Sequence, residues 1–320
     1  MGLPFHRVIR NALLAAGTLA CAATAQAAPV VVVNHQGVDR VAMLHRPPGL
    51  PAGPVPLVIA LHGLGQTIDS LQEWLHLDAA AEREHFVVVY PQAYGKWSYG
   101  RPIDSPMPQV NGKTVDDVGY ISRLIDGLVE MKVADPAHVY VTGMSRGGLM
   151  TYALTCALAD RLAAAAPLIS GMTDHQREDC RPARPIPMMV VAGTNDEAQW
   201  YDGQVTGKGR LLSVPETMEY WRLRNGCSAE TAASLPHRDE TDPTRVRMLE
   251  WTHCRNHSRL RLYRVNDGGH QLPSFAPSDE ATTKLFGLRN HDIETADEFW
   301  TFAKSMSAVN RPEPRHFSGK

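Results

Sequence analysis

Two kinds of apolar pattern alternate along the chain. Short runs rich in β-branched and aromatic residues, at 56–61, 86–90, 138–142, 188–192 and 260–265, predict strands. Between them, apolar residues recurring every three to four positions predict helices over 70–84, 117–131, 148–163, 215–225 and 295–306. Pro215 followed by Glu216 opens the fourth of these, and Gly226 closes it. Near-continuously apolar strands belong inside a parallel sheet covered on both faces. The alternation therefore predicts an α/β fold with a mostly parallel central sheet and helices on both faces. Stretches 30–33 and 41–44 predict antiparallel edge strands. The piece from Arg255 to Arg264, where Arg alternates with Leu and Tyr, predicts a strand with one solvated face.

Two stretches break the pattern. Residues 97–113 carry prolines and glycines, and 274–290 are polar and without period. Long irregular loops in such a fold wall its active site. At the start, His6, Arg7 and Arg10 precede a short apolar run from Ala12 to Ala20 and the small-residue site Ala25-Gln26-Ala27. That order predicts a signal peptide over 1–27, and the run is too short to span a bilayer. Cys21 offers a lipoprotein alternative, which Thr18 disfavours. A catalytic domain over 28–309 and a polar tail over 310–320 complete the expected organisation, with no linker and no second module.

The 320 residues carry a formal net charge of −2 and are 43% apolar, enough for one large core. The balanced charge leaves no electrostatic footprint for nucleic acid. Loss of the leader leaves Cys156, Cys180, Cys227 and Cys254, an even count that predicts two disulfides in an exported protein. Three connectivities are open, and sequential pairing closes the shortest loops.

Candidate chemistry lies where the predicted strands end. In an open parallel sheet, ligands bind beyond the carboxyl ends of the strands. There the chain places His62-Gly63-Leu64-Gly65-Gln66, then Gly143-Met144-Ser145-Arg146-Gly147, then Gly193-Thr194-Asn195-Asp196, then Asn266-Asp267-Gly268-Gly269-His270. A serine between glycines at a strand-to-helix turn is a nucleophile elbow, and the order Ser…Asp…His is that of the α/β-hydrolase fold. A serine hydroxyl needs a base within reach, and an imidazole needs a carboxylate to orient it. Ser145 is therefore the expected nucleophile, His270 the base and Asp196 the orienting acid, with Asp267 its competitor. The backbone N–H groups of Leu64 and Arg146 are the expected oxyanion donors. His62 reads as a brace of its loop, and Asp116 and Asp117 as caps of the helix that follows. Trp97, Trp200 and Tyr201 are candidates to line a substrate cleft. No phosphate loop, no H-E-x-x-H motif and no metal-ligand spacing of histidines occurs, so neither cofactor nor metal is expected.

With those residues in place, the chain resembles secreted esterases of the polyhydroxybutyrate depolymerase and feruloyl esterase type. "PLVIALHGLGQT", "VDDVGYISRLIDGL", "VYVTGMSRGG", "AGTNDEAQWYDG", "LLSVPETMEYWRLRNGC" and "NDGGHQLP" carry the resemblance. It implies Ser145, Asp196 and His270 as the triad and Cys156–Cys180 and Cys227–Cys254 as the bridges. It also implies an acyl-enzyme acting on esters of hydroxy acids or hydroxycinnamic acids, small or oligomeric; the short, cleavable leader leaves no membrane partner expected for the mature form. Five positions depart from the pattern: Arg146 where a small or amide residue is usual, Leu64 for a frequent cysteine, Gln271-Leu272 for Thr-Trp, and Trp200 for a smaller residue. An acyltransferase on the same triad and a non-catalytic binding protein on the same scaffold are the alternative readings. Without a linker and surface-binding module, the chain is expected to favour soluble esters over solid polyester.

Overall fold

The computed structural model describes residues 29–306. The predicted signal segment and the tail from 310 lie outside them. Strands β1 (Val30–His35) and β2 (Val38–His45) are antiparallel as expected, but they pair with each other, so of the two only β1 is an edge strand. Then come β3 (Val55–Leu61), helices α1 (Ile68–Leu75) and α2 (Leu77–Glu84), and β4 (Val87–Pro91). A two-residue ladder of β5 (Gln109–Val110) and β6 (Lys113–Thr114) interrupts the loop before α3 (Asp117–Glu130) and β7 (Ala134–Met144). Helix α4 (Arg146–Ala157), β8 (Ala164–Leu168), α5 (Asp174–Asp179) and β9 (Met188–Gly193) follow. The hairpin of β10 (Gln204–Thr206) and β11 (Gly209–Leu211) leads into α6 (Val214–Asn225). The remaining elements are β12 (Ala229–Ser234), β13 (Arg245–Thr252), β14 (Leu260–Asn266), α7 (Glu280–Phe286) and α8 (Thr295–Met306).

One sheet runs in the order β1-β2-β4-β3-β7-β8-β9-β14-β13-β12. Its centre, β4 to β14, is parallel, and both flanks are antiparallel. Side chains alternate faces along each strand. In β3, Leu57, Ile59 and Leu61 enter a core shared with α3, α4 and α6, whereas Val58 and Ala60 enter one shared with α1, α2 and α8. Both faces are thus covered, as the unbroken apolar strands require.

Several boundaries differ from expectation. The helix predicted over 70–84 is two, because His76 takes a left-handed conformation at φ 51° and turns the chain between them. The helix predicted from 148 begins two residues earlier, directly after Ser145, and ends at Ala157. Residues 158–163, its predicted end, hold no helix and lead through a turn into β8, which pairs between β7 and β9. The stretch at 274–290 holds α7, and β12 and β13 extend the sheet beyond β14.

Candidate active site

Ser145 is the single residue between β7 and α4. Its backbone sits at φ 56°, ψ −120°, a conformation that costs a non-glycine residue about 1–3 kcal/mol. The surroundings hold it there. Its N–H donates to Leu168 O at 3.0 Å, and its carbonyl accepts from Gly148 and Leu149 N–H at 2.8 and 3.1 Å. Gly147 lets α4 cross the end of β3, since a Cβ there would lie 2.2 Å from Leu61 O.

The acid and the histidine come from adjacent strand ends. Asp196, buried after β9, accepts Ala198 and Gln199 N–H on Oδ1 at 2.8 and 2.7 Å. Its Oδ2 accepts His270 Nδ1–H at 2.7 Å. That bond leaves Nε2 as the nitrogen free for proton transfer. The two loops are joined by Asn195 N–H to Gly268 O and Thr194 N–H to Val265 O, both 2.9 Å. Asp267 gives its backbone N–H to Thr194 Oγ1, so Asp196 is the carboxylate that meets His270. The end of α7 and the segment after it run beside the histidine loop: His270 N–H donates to Phe286 O and Gly269 N–H to Leu288 O. Among the described residues, the hydroxyl of Ser145 makes no hydrogen bond; it is placed by its backbone.

The loop after β3 lies against the serine, for a Cβ on Gly63 would be 3.4 Å from Ser145 Cβ. Gln66 closes this loop by accepting Gly63 N–H at 2.7 Å. Among the described residues, neither Leu64 N–H nor Arg146 N–H is engaged in another hydrogen bond. His62 braces the loop from behind: Nε2 accepts Ala93 N–H at 3.1 Å and Nδ1 lies 2.8 Å from Gly63 O. Burial pushes its pKa below the ordinary histidine value, against the Gly63 hydrogen bond, so the ring stays neutral.

The family model described as esterase PHB depolymerase matches residues 41–181. The putative esterase NocK of Nocardia uniformis subsp. tsuyamanensis is 32% identical over 297 residues, covering 86% of this chain and 81% of that protein. The chain belongs to the esterase PHB depolymerase family. It is a carboxylic ester hydrolase by that membership. Feruloyl esterase B of Piromyces equi is 31% identical over 164 residues, which cover 48% of this chain but 29% of that one. Acetyl xylan esterase from Aspergillus awamori superposes with a TM-score of 0.52 at 15% identity, over 74% of this chain and 92% of that one, and shares the α/β-hydrolase fold.

In this esterase the aromatic candidates divide. Trp97 is fully buried and donates Nε1–H to His62 O at 2.9 Å. It anchors the loop after β3 and does not line an open cleft, a correction to its expected role. Trp200 is 48% exposed, and Tyr201 is half-buried beneath the guanidinium of Arg264. Arg146, which stands where the resemblance leads one to expect a small or amide residue, turns its guanidinium into the protein, where it is 4% exposed. Cys156 is joined to Cys180, tying the end of α4 to the end of α5, and Cys227 to Cys254. Among the described residues, no group of three or more His, Cys, Asp or Glu is placed to hold a metal ion, and no helix is long and apolar enough to cross a membrane. The tie made by Gln66 was not anticipated, although a polar residue two positions beyond Leu64 is visible in "HGLGQT".

Proposed function

We propose that the esterase, as one domain over 28–309, cleaves carboxylic esters through an acyl-enzyme on Ser145. His270 Nε2 takes the serine proton as Oγ attacks the ester carbonyl. Asp196 holds the imidazole in the tautomer this requires and stabilises its charged form. The N–H groups of Leu64 and Arg146 receive the oxyanion, a contribution of about 3 kcal/mol for each such donor. Collapse expels the alcohol with the proton returned by His270. Water then enters by the reverse roles and releases the acid. The observation that carries this reading is the 2.7 Å hydrogen bond from His270 to Asp196 at the sheet edge where the strained Ser145 stands. Feruloyl, acetyl and hydroxyalkanoate oligomer esters are the proposed substrates. The half-exposed Trp200 supports an acyl or aryl group in the cleft, and relatives are named for feruloyl, acetylxylan and poly(3-hydroxyalkanoate) substrates. The two disulfides and the leader-like start support export.

The test is labelling with a fluorophosphonate and mapping of the adduct, together with hydrolysis of chromogenic acetyl and feruloyl esters. The adduct is expected on Ser145, and Ser145→Ala is expected to lose at least ~10³-fold in kcat. Activity of that variant within about tenfold of the parent overturns the reading.

A further inference from the structure

The side chain of Arg146 stands in an unusual place. It is the first residue of α4, where the helix dipole favours anions, and no acidic residue stands in that first turn. A buried cation there needs another reason. Its Nε donates to Trp97 O at 3.2 Å, Nη1 pairs with the Asp104 carboxylate, and Nη2 lies 3.5 Å from Met107 Sδ. The guanidinium also covers the Tyr99 ring at 4.8 Å, and Tyr99 donates its hydroxyl to Asp104 at 3.1 Å. Every one of these partners lies between 97 and 107, a stretch without helix or strand. Trp97 in turn holds His62 O, one residue before Gly63 and two before Leu64. A continuous chain of contacts therefore runs from the side chain of Arg146, through Trp97, to the loop that presents Leu64 N–H.

We propose that Arg146 is a positioning residue for the ester hydrolysis set out above: with Asp104 it latches loop 97–107 and sets the spacing between the two oxyanion amides, its own and that of Leu64. The inference rests on the triad reading. Burial pushes the Asp104 carboxyl up, but the Ser105 N–H and Arg146 outweigh it and hold the carboxyl below its usual range, so the latch stays charged through mildly acidic pH.

The experiment compares Asp104→Ala, Arg146→Met, Arg146→Lys and the double variant Asp104→Ala/Arg146→Met. It reads kcat and KM on 4-nitrophenyl esters and the inhibition constant of an alkyl trifluoromethyl ketone, whose tetrahedral adduct places an oxyanion in the site. Loosening the latch is expected to lower kcat at least ~10-fold, with KM within about threefold. The ketone should weaken in step with kcat/KM, a response that loss of stability alone would not produce. Arg146→Lys keeps the charge opposite Asp104 and should recover part of kcat. The double variant should be no worse than Arg146→Met, because the two side chains act as one unit. Asp104 is partly exposed, so its variant is expected to fold even if Arg146→Met does not. Folded Asp104→Ala with kcat and ketone affinity within about twofold of the parent overturns the latch. If the parent is not labelled on Ser145 at all, the triad reading and the latch fall together.

Discussion

Arg40 Nη2 lies 2.6 Å from Asp117 Oδ1, and neither side chain is more than 4% exposed. The pair joins β2, the second strand of the sheet, to the start of α3. Asp117 Oδ2 also accepts Ser98 N–H at 2.7 Å, while Arg40 donates to Gln92 O and covers the Tyr120 ring at 4.2 Å. Only Asp116 caps α3, by accepting Gly119 N–H. Asp117, read from sequence as a second cap, is instead the buried partner of an arginine, next to the loop that carries Trp97.

Removing one member leaves the other charge buried and alone, which typically costs about 3–5 kcal/mol. Asp117→Ala is therefore expected to lower the melting temperature by roughly 10 °C in a protein of this size. Replacing both partners by apolar residues, Arg40→Met with Asp117→Leu, should cost less than the single change, because no uncompensated charge remains. Thermal melts of the three proteins decide this, and a double variant less stable than Asp117→Ala would contradict it.

Asp196 fixes His270 through one oxygen and its own loop through the other. Asp196→Asn can preserve the loop contacts and still fail, since an amide turned toward Nδ1 favours the wrong imidazole tautomer. The expected loss is about 10³–10⁴-fold in kcat near neutral pH, with little change in melting temperature. A parallel loss of structure by circular dichroism would move the role of Asp196 from the chemistry to the fold.

Much of this arrangement was legible in the sequence because it depends on local pattern. The strands around Val58, Val88, Val141, Val190 and Leu262 are β-branched or aliphatic runs, and the three candidate catalytic residues follow strand ends in order. What escaped depends on contacts distant in sequence. Strand β8 is three alanines, a proline and a leucine, none of them a strong strand former except by burial between β7 and β9. Helix α7 buries no residue completely, so it shows no apolar stripe. The break at His76 falls inside an uninterrupted helical pattern, and only the backbone reveals it. The fate of Arg146 could not be read from its neighbours, because its partner Asp104 stands 42 positions away.

His62 gives the fold a sensitivity to acid. Its folded pKa is lowered by burial, so below about 6.5 the unfolded chain binds a proton that the folded chain refuses. The stability it contributes is fully present above that pH and is lost as pH falls toward the lowered folded value. Protonation would also turn Nε2 from an acceptor into a donor facing Ala93 N–H. His62→Gln retains an acceptor but does not titrate. Unfolding free energy measured between pH 7.5 and 5 should fall more steeply in the parent, by at most about 1.4 kcal/mol per pH unit. Parallel slopes in the two proteins would remove His62 from the acid response.

Trp200 is pinned and open at once. It stands four residues beyond Asp196 and donates Nε1–H to Glu197 O at 2.7 Å, and yet the side chain remains 48% exposed. Leu64, on the loop after β3, is 60% exposed. A large ring held in one orientation loses little freedom when a substrate covers it, so it favours binding of aryl or long acyl groups. The interaction is made equally in the ground and transition states, and its loss should appear in KM with kcat retained. Trp200→Ala is expected to raise KM for feruloyl and medium-chain acyl esters about 5- to 30-fold, the equivalent of roughly 1–2 kcal/mol of apolar contact. The acetyl ester, too short to reach the ring, should change by less than about threefold. Trp200→Phe should fall between, and none of these variants should lose stability, because the ring contributes little to the core. Equal effects on acetyl and feruloyl esters would place Trp200 outside the acyl cleft.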